Sequence, residues 1–182
     1  MRIIDPSFEI MHMAEPADLL RLLELAGRVC YKSEDRITED SAADFIGRIV
    51  RSGHESVIEH AAATVRFVCD RGVTHELVRH RLASYSQEST RYANYAKDKF
   101  GREITVIRPR FWAEDDARYE LWKQAMLAAE KAYLDLVDAG ATAQEARSVL
   151  PNSLKTEIVM TANMREWRHV LKLRCDTPAH PQ

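Results

Sequence analysis

From residue 79 the chain reads Arg-His-Arg-Leu-Ala-Ser-Tyr-Ser-Gln-Glu-Ser-Thr-Arg-Tyr. Arg79, Arg81 and Arg91 stand close to His80, to the hydroxyls of Ser84, Ser86, Ser89 and Thr90, and to the acceptors Gln87 and Glu88. Arginine forks pair bidentately with phosphate and carboxylate, and serine hydroxyls with loop N–H groups complete such a cradle. This set suits anion or nucleotide binding. A solvated charged surface is the alternative, although a solubilising run is more often rich in Lys and Glu.

Two helices must present chemistry around this segment. On a helix through residues 73–81, His75, Glu76, Arg79 and His80 share an arc of about 140°, with Leu77 and Val78 opposite, facing the core. Arg81 falls on the apolar arc, so it either ends the helix or reaches a buried anion. On the last helix, Asn163, Trp167, Val170 and Arg174 lie on one face that Leu171 makes more apolar. A guanidinium at the end of such a stripe needs an anion or several acceptors. A structural carboxylate and a substrate are both open as that partner. Arg147, just before Val149-Leu150, has a similar profile.

His54 and His60 are six residues apart. The His-Glu-x-x-His metal pattern needs four, and no third ligand is evident, so no metal is expected. Cys30, Cys69 and Cys175 are odd in number, far apart and outside the nucleotide segment. That spacing argues against a zinc ribbon or a disulfide framework and fits a reducing cytoplasm. Ser89 has no evident His-Asp relay and reads as a ligand contact rather than a covalent nucleophile.

Arg79-His80-Arg81, seven residues, Ser89 and then Arg91 resemble the signature of the flavin-dependent thymidylate synthases, the ThyX family. Gly53-His54-Glu55-Ser56-Val57-Ile58-Glu59-His60, Glu145-Ala146-Arg147-Ser148-Val149-Leu150-Pro151, Asn163-Met164-Arg165 and Leu171-Lys172-Leu173-Arg174 match further blocks in order. The resemblance spans essentially the whole chain. It implies methylation of dUMP to dTMP, with methylenetetrahydrofolate as one-carbon donor and FAD, reduced by NADPH, as hydride carrier. It further implies a central, mainly antiparallel sheet flanked by helices and a homotetramer with each active site between subunits.

By the same resemblance, Ser56, Arg79, His80, Arg81, Gln87, Asn163, Met164, Arg165 and His169 would contact the flavin, with His54 and Glu59 in support. Glu76, Leu77, Val78, Arg79, Gln87, Glu88, Ser89, Thr90, Arg91, Arg147 and Arg174 would bind dUMP. Arg174 would be catalytic by stabilising anionic uracil. Two positions depart from the pattern: many relatives carry Asn-Glu at Ser86-Gln87 and Gln at Glu76. The family does not need a cysteine nucleophile. Two other functions compete. One is a non-catalytic nucleic-acid module using the basic and aromatic residues of segment 79–97, namely Arg79, Arg81, Arg91, Tyr85, Tyr92, Tyr95 and Lys97. The other is a flavin-binding relative without synthase activity.

The bulk of the chain fits a single α+β domain over residues 1–182. It has 46% hydrophobic and 30% charged residues and a net charge of −2, so nothing draws it as a whole toward nucleic acid or membrane. No apolar run approaches the ~20 residues of a membrane helix, and no signal-peptide core opens the chain. Strands are expected over 2–13, 62–69, 103–107 and 154–161. Helices are expected over 16–31, about 40–50, from Asp70 through His80, 115–138 and 163–174, with a capping box at Thr142–Glu145. Residues 82–92 read as a loop. The chain reads as short at its C-terminus, where relatives usually continue through another helix.

Overall fold

The computed structural model describes residues 1–182. Strand β3 (Ala62–Asp70) is the centre of the molecule. It pairs antiparallel with β2 (Ser7–Met13) on one side and β6 (Lys155–Asn163) on the other, and β4 (Ala83–Gln87) closes the sheet beside β6. A separate parallel pair joins β1 (Arg2–Ile4) to β5 (Thr105–Ile107). The expected strand 2–13 is thus two strands in two sheets. Asp5-Pro6 divides them, because proline cannot donate to a ladder. The mainly antiparallel sheet with flanking helices is as expected.

Alternation along β6 shows how the sheet finds its core. Thr156, Ile158, Met160 and Ala162 are buried while their neighbours are not. Ile158, Met160 and Ala162 pack with Cys69, Leu77 and Val170 under α3 (Arg71–Leu77) and α6 (Met164–Arg174). The Trp167 indole N–H, which donates to the Ala63 carbonyl at 3.1 Å, fastens α6 to this face. A second cluster lies between α1 (Pro16–Val29), α2 (Ser41–Arg51) and the 3-10 turn Glu55–His60. The third sits beneath α4 (Ala117–Asp138) and the short α5 (Ala143–Ala146).

Caps place the helix starts. Asp70 accepts from the Val73 N–H at 2.7 Å, and Asn163 accepts from the Glu166 N–H at 2.9 Å. Asp116 caps α4, which starts at Ala117 rather than at 115, and the Thr142/Glu145 capping box is present. The larger departure concerns α3. It ends at Leu77, and Val78–His80 form the turn that leads into β4. Residues 83–87, expected in a loop, are an edge strand whose partner β6 lies about seventy positions away. Val78 is accordingly exposed instead of facing the core.

Candidate active site

The turn after α3 brings His80 against the inner face of α6. His80 is 4% exposed and its partner Glu166 is 6% exposed. His80 Nδ1 lies 3.1 Å from Glu166 Oε1, and His80 Nε2 lies 3.1 Å from Arg174 Nε. A guanidinium can only donate, so Nε2 is the acceptor and Nδ1 carries the proton donated to Glu166. Burial holds the His80 pKa below the ordinary histidine value; the Glu166 bond opposes this and the Arg174 charge reinforces it. His80 is therefore a neutral imidazole of fixed tautomer. Tyr85 closes the turn from β4 by donating to the carbonyls of Leu77 and His80 at 2.7 and 2.9 Å.

Arg174 ends the chain of contacts. Its Nη1 donates to the Glu76 carboxylate and its Nη2 to the Glu76 carbonyl at 3.0 Å. The structural carboxylate that the α6 stripe called for is thus Glu76, from the last turn of α3. His169 packs edge-on against His80, with ring centroids 5.3 Å apart, and is itself exposed. Glu166, His80 and His169 are close enough to suggest a cation site. The proton on His80 Nδ1 occupies the lone pair a metal would need, so this geometry suits a hydrogen-bonded relay.

Beside this relay runs a groove of about 1040 Å³, lined among others by Asn163, Arg165, Arg168, His169 and Lys172. Arg165 pairs with Glu59 and Glu55, and Arg168 with Glu55, so the 3-10 turn forms the opposite wall. The expected flavin residues Asn163, Arg165 and His169 therefore converge. Ser56 is exposed on the same turn, Arg79 and Arg81 are exposed beside His80, and Met164 packs partly into the second core cluster. His80 differs from its expected role: with both ring nitrogens engaged and its side chain buried, it supports Arg174 and offers a ligand nothing directly.

The nucleotide segment opens on a second groove of about 620 Å³, lined by Gln87, Glu88, Ser89, Arg66 and Lys155 among others. Gln87 Nε2 donates to Thr74 and Thr156 at 3.0 and 3.3 Å. Glu88 accepts from Tyr95 and from Lys155. Burial works against the Lys155 charge, but the carboxylates of Glu157 and Glu88 outweigh it and leave the pKa raised. Ser89 is exposed, with its Oγ accepting from the Arg91 N–H at 3.3 Å, and Arg91 lies over the Tyr92 ring. Thr90 is buried, as is Leu77, whose side chain belongs to the core and cannot touch a substrate. Arg147 is exposed and lines neither groove. Tyr95 is 5% exposed and half-buried Tyr85 is tied to two carbonyls, so the 79–97 segment lacks the run of free aromatic faces that stacking on single strands requires.

Sequence reasoning missed Glu166. The signal was present as Asn163-x-x-Glu166, but an acid at the third position of a helix reads as an ordinary N-terminal charge. Its contact with His80, 86 positions earlier, is tertiary.

A family model described as "Thymidylate synthase complementing protein" matches residues 11–182. The chain belongs to that family. Among its relatives, a protein from Geobacter sulfurreducens named flavin-dependent thymidylate synthase is 39% identical over 83% of this chain and 66% of its own. One of the same name from Pyrococcus furiosus is 38% identical over 84% of this chain and 62% of its own. The chain thus spans less than two thirds of the length of these relatives. A solved UMP/dUMP methylase from Streptomyces cacaoi, bound with 5-Br dUMP, superposes with a TM-score of 0.79 at 26% identity, covering 100% of this chain and 86% of its own. A Helicobacter pylori thymidylate synthase X solved with FAD and dUMP shares the fold, with a TM-score of 0.77 at 21% identity over 96% of this chain and 86% of its own.

Proposed function

We propose that this chain methylates dUMP to dTMP, with methylenetetrahydrofolate as the carbon donor and NADPH-reduced FAD as the hydride carrier. Family membership and the relatives' names support the reaction. The observation that carries it is Arg174, held by a buried, neutral His80 whose partner Glu166 also lines the groove of Asn163, Arg165, Arg168, His169 and Lys172. That groove's donors, Arg165, Arg168 and Lys172 with Arg79 and Arg81 nearby, fit the diphosphate of a dinucleotide, while Asn163 and His169 offer uncharged polar partners. Bound flavin supplies hydride transfer.

The chain's own residues bind and polarise. Ser89 and Arg91 hold the nucleotide phosphate, and Gln87 and Glu88 line its cleft. The Arg174 fork stabilises negative charge on the uracil, with His80 and Glu166 fixing its direction. The thiols have no part in this scheme. Burial, with the Asp70 charge, pushes the Cys69 thiol up to about 12, far from a thiolate nucleophile.

A cytoplasmic homotetramer completes the proposal. β2 exposes Phe8, Ile10, Met11 and Met13, and α1 exposes Leu22, Leu25 and Val29, an apolar surface suited to burial against other copies. No helix is long and apolar enough to cross a membrane. In that assembly Arg147, exposed and outside both grooves, would serve a neighbouring subunit's site.

The decisive experiment measures visible absorbance after FAD addition, and dTMP formation from dUMP with methylenetetrahydrofolate and NADPH. A yellow protein that turns over supports the proposal. Flavin binding without dTMP marks the inactive relative, and absence of flavin binding overturns the reading. Sedimentation of a fully active monomer would refute the tetramer.

A further inference from the structure

In the free chain each nitrogen of the Arg174 guanidinium makes one hydrogen bond, which engages three of its five N–H groups. Nε donates to His80 Nε2, Nη1 to the Glu76 carboxylate and Nη2 to the Glu76 carbonyl. Nη1 and Nη2 both face Glu76, so a substrate oxygen gains that edge of the fork only by displacing a Glu76 contact. Of the three acceptors, two are fixed. His80 is buried and held from behind by Glu166, and the Glu76 carbonyl belongs to the backbone at the end of α3. The third is movable: the Glu76 side chain has rotatable bonds and is 39% exposed, so water can receive its carboxylate. It is also the only charged acceptor of the three, hence the strongest rival to an incoming ligand.

We propose that Glu76 is an internal competitor for substrate, holding Arg174 in the free protein and releasing it when the uracil carbonyl of dUMP arrives. The proposal rests on the thymidylate synthase reading above. It assigns Glu76 a role opposite to that of a ligand contact: the carboxylate lowers nucleotide affinity by supplying the one charged partner of the guanidinium. Only an acidic residue at this position closes the fork with an opposite charge. A glutamine there forms a neutral, weaker bond that dUMP displaces more readily.

The test is a binding cycle on the FAD-loaded protein, with dUMP as the calorimetric probe and melting curves confirming that each variant is folded. Glu76→Gln is expected to tighten dUMP binding about 2- to 5-fold, the range set by a partly exposed ion pair that must open. In an Arg174→Ala background the same change is expected to alter affinity by less than about 2-fold, because no guanidinium remains to be contested. Weaker or unchanged binding by Glu76→Gln overturns the proposal and makes Glu76 a direct nucleotide contact or a bystander. Tightening that persists undiminished without Arg174 also overturns it, since that is general repulsion between Glu76 and the phosphate. If Glu76→Gln does not fold, Glu76→Ala is read through the same cycle. Failure of the parent protein to bind dUMP at all refutes the underlying reading and this inference with it, an outcome distinct from the others.

Discussion

Glu166→Ala tests the relay from the side that sequence reasoning missed. The substitution removes the acceptor of the His80 Nδ1–H, and water cannot readily replace it because His80 is 4% exposed. Leaving a buried donor unpaired costs about 1–3 kcal/mol. A domain of this size shifts by about 2–4 °C per kcal/mol, so the melting temperature is expected to fall by about 2–12 °C. Glu166→Gln, whose amide oxygen still accepts the hydrogen bond, is expected to recover most of that loss. The pH dependence supplies a second readout. Burial is the main reason the His80 pKa lies below 6.5, with the Glu166 bond opposing it and Arg174 adding to it. Just below pH 6.5 the unfolded chain therefore binds a proton that the folded chain refuses. The stability due to the neutral imidazole is fully present above that pH, and declines as pH falls toward the lowered folded value. Without Glu166 the opposing contribution is gone, the folded value drops further, and the decline continues to lower pH. Thermal melts across this range would refute the relay if Glu166→Ala stayed within about 1 °C of the parent and kept its pH slope.

Other substitutions address the site and the scaffold. Arg174→Ala is expected to keep the fold and FAD while dTMP formation falls by about 10²–10³, the usual effect of losing one charge-stabilising donor; Arg174→Lys, lacking the planar fork, should restore little. Normal turnover by Arg174→Ala would remove it from the chemistry. The triple change Cys30→Ala, Cys69→Ala, Cys175→Ala should retain dUMP methylation, and complete loss of turnover in a folded, FAD-bound triple variant would contradict the cysteine-free mechanism. Thr142→Ala breaks the capping box of α5 and is expected to cost about 0.5–2 kcal/mol in chemical denaturation with no change in FAD affinity.

Local chemistry was legible in the sequence wherever local forces decide. The helix starts at Asp70 and Asn163, the Thr142/Glu145 box, the strand at β6 and the long helix α4 all depend on neighbours a few residues away. The need of Arg174 for a partner was equally visible, because a charge on an apolar stripe is costly in any fold. Which partner it takes was not. Glu76 and His80 lie 98 and 94 positions before Arg174, and only the sheet order β2-β3-β6-β4 sets the end of α3 against α6. That order also made a strand of Ala83–Gln87, whose serines and glutamine have weak strand preference, because the edge of β6 offered backbone bonds that a loop would have left to water. His80 shows the difference most clearly. Its place in an arginine-rich signature suggests a ligand contact, whereas burial between Glu166 and Arg174, decided by packing alone, makes it the support on which the arginine rests.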